Sequence, residues 1–183
     1  MEQMFEAATS LNQSLANWDV SSCTIMNRMF SGATIFNFPI GTWRMSSVQH
    51  IDHMFLWAHS FNQPLGGWDL KSVRSAESVF SDARSFNQDL SQWDVSNMQS
   101  LRSLFYGATS FNYPLGSWNM SSVKDIAGTY ISCADLSRST SVNLRVLDLF
   151  SVILHYRIVC IFGVQSRHLF LGFELRNGHV RSF

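Results

Sequence analysis

The side chains best equipped for chemistry are crowded into one stretch, where His50, Asp52, His53 and His59 lie close together. Imidazole nitrogens bind zinc and related metals, and two histidines three residues apart on a helix could touch one ion. The register of the chain argues against this. Tryptophan recurs every 25 residues, and in that register His50 and His53 correspond to Ile25 and Arg28, to Ser75 and Ser78, and to Ser100 and Ser103. The pair is therefore expected on a solvated face, with no metal and no cofactor. The chain also lacks a nucleophile elbow, a phosphate-binding loop, a zinc-protease helix and a dinucleotide-binding glycine motif. No catalytic residue is assigned, and the protein is expected not to be an enzyme.

Binding residues are easier to nominate. Trp57 corresponds to Gly32, Asp82 and Gly107 in the same register. A bulky aromatic where its equivalents are small or polar is expected to be exposed, and tryptophan is a frequent interface anchor. Packing onto a neighbouring surface is the alternative. The second candidate is a face of outward residues flanking the repeated tryptophans, comprising Asp19, Arg44, Asp69, Gln92, Asp94 and Asn119. Arg44 is expected to bridge Asp19 and Asp69. Asp69 and Asp94 are like charges in neighbouring repeats, which costs stability unless a partner is near. The competing expectation is that these carboxylates cap the turn that follows them.

The elements that must position these residues are set by the repeat. Tryptophan stands at 18, 43, 68, 93 and 118, phenylalanine at 5, 30, 55, 80 and 105, and asparagine at 12, 37, 62, 87 and 112. A fixed period of this size marks a repeat architecture. A partial repeat covers residues 1–11, and full repeats follow at 12–36, 37–61, 62–86, 87–111 and 112–136. Because the chain begins inside its own repeat, it reads as a fragment of a longer array. Trp18, Trp43, Trp68, Trp93 and Trp118 are expected to stack in the core. Asn12, Asn37, Asn62, Asn87 and Asn112 are expected to form a buried amide ladder.

Within a repeat, Trp93 and Val95 alternate with Asp94 in the manner of a strand. Ser96 and Asn97 are good helix N-caps. Met98, Leu101, Leu104, Phe105 and Ala108 then fall on one helical face. The expected fold is α/β, a solenoid of strand–turn–helix coils with a parallel sheet on one side.

The stretches Ser60-Phe61-Asn62-Gln63-Pro64-Leu65, Met54-Phe55 to Ala58 and Trp93-Asp94-Val95-Ser96-Asn97-Met98 resemble the BspA-type leucine-rich repeat family. The resemblance covers residues 1 to about 136. It implies a leucine-rich-repeat-like right-handed solenoid at the cell surface or secreted, with an adhesive role toward a protein or glycan ligand. Purely structural spacer repeats, with function in other domains of the parent protein, are the alternative.

Composition narrows the partners. Formal net charge is zero and charged residues make up 14% of the 183-residue chain, so there is no electrostatic footprint for nucleic acid. The three cysteines, Cys23, Cys133 and Cys160, are widely spaced and signal neither a disulfide framework nor a zinc site. Cys23 stands where other repeats have Val or Met and is expected to be a small buried hydrophobe. Residues 137–183 leave the repeat pattern, as a C-terminal cap or as non-native sequence. Their apolar run is interrupted by His155 and Arg157, too soon for a membrane span. Alternation from Leu154 to Phe162 permits one or two strands.

Overall fold

A 25-residue repeat sets like residues over like residues, and the core is made from that superposition. The structure, a computed structural model, describes residues 1–129, 173–176 and 179–182. In residues 1–129 successive coils stack so that Phe30, Phe55, Phe80 and Phe105 form a column, with ring centroids 5.5–5.7 Å apart and planes within 5° of parallel. A second column holds Phe36, Phe61, Phe86 and Phe111. The two columns meet face to face, as in Phe80 against Phe86 at 3.9 Å. Trp68, Trp93 and Trp118 stack at 6.4 Å. Offset parallel rings avoid the quadrupole repulsion of a direct sandwich while burying large apolar areas. Methionine, leucine, valine and alanine fill the space between them.

The strand–turn–helix coil does not form. Among the described residues there is no helix. The strands among the described residues are β1 (Phe173–Arg176) and β2 (His179–Ser182), an antiparallel pair outside the repeats. The expected α/β leucine-rich-repeat-like solenoid with a parallel sheet is thereby corrected to coils made of consecutive turns. Among the described residues, parallel pairing is confined to isolated bridges, Ile25 with His50, Ser75 with Ser100, and Ser100 with Asp125.

The reason lies in where the backbone N–H groups go. Between Leu101 and Phe111, overlapping turns link residues three apart: Leu104 donates to Leu101, Tyr106 to Ser103, Ala108 to Phe105 and Phe111 to Ala108. A helix would direct the N–H groups in between along its own axis. Here Ser103 and Gly107 have φ of 53° and 69°, in the left-handed region, and alternate peptide units turn sideways. In the coil before, Ser78, Phe80 and Asp82 donate to the carbonyls of Arg102, Leu104 and Tyr106. The same pattern joins Arg28, Phe30 and Gly32 to Asp52, Met54 and Leu56. Left-handed geometry costs a non-glycine residue about 1–2 kcal/mol. Each such residue recovers a bond from its amide to the next coil, which offsets that cost.

This also explains why the periodicity suggested a helix. Met98, Leu101, Leu104, Phe105 and Ala108 are all buried, because a run of three-residue turns sends side chains inward at nearly the spacing of a helical stripe. The alternation at Trp93, Asp94 and Val95 is likewise present, with Asp94 outward. Side chains rather than a backbone ladder join the coils there. Trp43, Trp68, Trp93 and Trp118 each donate their indole N–H to a carbonyl of the preceding coil, those of Leu15, Ile40, Leu65 and Leu90, at 2.9–3.2 Å. Each of those carbonyls also accepts an amide three residues on.

The asparagine column is half-buried to exposed rather than buried. Asn37 Oδ1 accepts the Asn62 amide, Asn62 Oδ1 that of Asn87, and Asn87 Oδ1 that of Asn112, at 2.9–3.0 Å. A side-chain amide can reach beyond its own coil while water covers its other side. Trp18 departs from its column, at 37% exposed, because residues 1–11 cover only the later half of the coil it belongs to. Cys23 is half-buried against the core rather than enclosed in it. The strands expected between Leu154 and Phe162 lie outside the described residues, as do Cys133 and Cys160.

Candidate functional site

His53 has φ of 60°, and its Nδ1 is buried without a partner. Asp52 does not serve it. The Asp52 carboxylate accepts the Ser75 hydroxyl at 2.7 Å and the Glu77 amide at 2.8 Å, and its own amide donates to Asn27 Oδ1. Asp52 is thus a rung of a second side-chain ladder at another corner of the coil. Among the described residues no group of three or more His, Cys, Asp or Glu side chains is placed to hold a metal ion.

The polar face is assembled in register. Asp19, Arg44, Asp69, Gln92, Asp94 and Asn119 are all exposed. Most of the acceptors are already used locally. Asp19 accepts the Ser21 amide, Asp69 that of Lys71, Asp94 that of Ser96 and Asn119 that of Ser121, at 3.0–3.3 Å. Asp94 also accepts the Ser96 hydroxyl at 2.6 Å. The Ser96 hydroxyl, then its amide, and then the charge of Lys71 hold the Asp94 carboxyl below the ordinary range. Ser21 does the same for Asp19, with a smaller contribution from Arg44. The expected bridge from Arg44 to Asp19 and Asp69 is not made. The ion pairs among the described residues are Arg28 with Glu6 and Arg102 with Asp125. The like charges of Asp69 and Asp94 are tolerated because each is satisfied by its own turn, with Lys71 near the second.

Trp57 is 51% exposed and has φ of 59°. Its amide donates to the Ser81 carbonyl, so the backbone is committed to the stack while much of the indole faces outward. Glycine fills this position in two of the equivalent coils, at Gly32 and Gly107.

One feature escapes sequence reading because it is built from two coils. Gln49 and His50 from one coil, with Lys71, Ser72 and Arg74 from the next, line an open depression of about 360 Å³. The residues are 21 or more positions apart across the seam, and no local motif announces them.

Together the geometry defines a repeat protein of stacked turn-built coils with an exposed polar face and one strained, exposed tryptophan. The chain belongs to the family described as "Mycoplasma protein of unknown function, DUF285", whose profile matches residues 1–84 and 45–143. No curated protein and no solved structure matches it. No helix of the described residues is long and apolar enough to cross a membrane.

Proposed function

We propose that the coil stack is a non-enzymatic interaction module of the surface type, taking a protein or glycan partner, with Trp57 as its anchor. The observation that carries this is Trp57 itself. A large indole stands half in solvent at a position that the small or polar residues Ala7, Gly32, Asp82 and Gly107 fill in other coils. The left-handed backbone belongs to the coil, since Ala7 and Asp82 share it at the equivalent positions; the exposed indole marks the site, because tryptophan is a frequent interface anchor. The resemblance of the repeat motif to BspA-type surface proteins supports the same setting.

Trp57→Gly separates binding from folding. Purified wild-type and W57G chains are immobilised and probed with a glycan array and with solubilised cell-surface proteins. The expected result is at least a tenfold loss of the captured ligand, with the melting temperature unchanged or raised. Equal capture by both chains would leave Trp57 with a packing role and favour the spacer alternative.

A further inference from the structure

The depression lined by Gln49, His50, Lys71, Ser72 and Arg74 is independent of the role given to Trp57. Its lining holds two permanent cations, Lys71 and Arg74, one imidazole, one amide and one hydroxyl, and no carboxylate. In a chain with zero net charge and only 14% charged residues, this is a local concentration of one sign. Gln49, His50, Lys71 and Arg74 are all exposed. Arg74 and His50 enter no ion pair among the described residues.

We propose that this depression binds the sulfate ester of an anionic oligosaccharide. Arg74 presents a planar fork that matches two oxygens of an oxyanion, while Lys71 supplies a compact positive charge. His50 can donate a ring N–H in either protonation state. Gln49 and Ser72 are neutral groups that suit sugar hydroxyls. The volume of 360 Å³ lies at the low end of the about 300–1,000 Å³ of small-ligand sites, which is roomier than a bare ion needs and open enough for a chain to continue past it.

Neighbouring groups are anchored independently of any ligand. The Arg74 carbonyl accepts the Gln99 amide, and the Lys71 carbonyl accepts Asn97 Nδ2. The backbone under both cations is therefore fixed by the next coil, which limits the ordering cost of binding. Asp69 accepts the Lys71 amide, and Asp94 is the competitor for the Lys71 charge, which it feels without forming an ion pair. Removing that competitor should strengthen anion binding. Asparagine can cap this turn, as Asn119 does at the equivalent position by accepting the Ser121 amide.

The test titrates the full chain with a sulfated tetrasaccharide, its desulfated counterpart and inorganic sulfate, by calorimetry at low salt. The expected result is saturable binding of the sulfated sugar, at least tenfold weaker for the desulfated one and for free sulfate. Lys71→Ala with Arg74→Ala should weaken it at least tenfold. Asp94→Asn should tighten it severalfold. Arg28→Ala, which removes a cation paired with Glu6, should leave it unchanged. Circular dichroism melts of the same variants confirm that all are folded. Equal binding by the K71A/R74A chain, or free sulfate matching the tetrasaccharide, would overturn the assignment. A W57G chain that still binds the sulfated sugar separates this site from the Trp57 anchor.

Discussion

At the scale of single residues, the polar face is built from carboxylates that serve their own turns. Asp94, Asp19 and Asp89 are each held below the ordinary carboxylate value, chiefly by hydrogen bonds from the serine two positions on. A carboxyl whose folded value lies below its unfolded one contributes stability above the unfolded value, and that contribution fades as pH falls through the folded value. Stability is therefore expected to be flat from neutral pH and to decline below about pH 4. Asp94→Asn should make the decline shallower, since it keeps the cap and removes one titrating group. Thermal melts across that range check both. The half-buried amides act differently, as linkers between coils. Asn62 Oδ1 accepts both the Asn87 amide and Gln88 Nε2, at 2.9 and 2.8 Å. Asn62→Ala leaves both donors to water and should cost about 1–3 kcal/mol, measured by urea unfolding. Asn62→Asp retains the acceptors and should cost less.

At the scale of the element, the unit is neither helix nor strand but a chain of turns that only the next coil completes. Its inward residues were legible from sequence, because the positions that face the core are the same whether the backbone is a helix or a run of turns. The backbone state was not. Glycine at 32, 107 and 128 and aspartate at 82 are residues that tolerate left-handed geometry. The same positions, however, carry Arg28, His53, Trp57, Ser78 and Ser103 in other coils. No local preference would place those side chains there. The neighbouring coil does, by offering a carbonyl at every second residue.

At the scale of the whole molecule, each coil touches chiefly the coils before and after it, so stability should grade from ends to middle. Phe55 stacks on Phe30 and Phe80 and also meets Phe61 and Trp68. Phe5 has a stacking neighbour on one side only, Phe30, and is half-buried. Phe55→Ala should cost about 3–5 kcal/mol, and Phe5→Ala distinctly less, by equilibrium unfolding. Hydrogen exchange should show the same gradient. The inter-coil amides of Phe55 and Phe80 should be protected far longer than those of Gln3 and Phe5.

The sequence by itself determined the period, the phenylalanine columns and which recurring positions face inward or outward. Those features follow from which residue types recur at which positions, and an apolar side chain must be buried whatever the backbone does. Tertiary structure alone decided three further things. It set the turn-built backbone, since the energy of an alternate N–H depends on whether a neighbouring carbonyl is there to receive it. It placed Asp52 in a ladder between coils, where its carboxylate accepts the Ser75 hydroxyl and the Glu77 amide, partners that only stacking brings within reach. It also gathered Gln49, His50, Lys71, Ser72 and Arg74 into one basic depression, because residues from different coils become neighbours only after stacking.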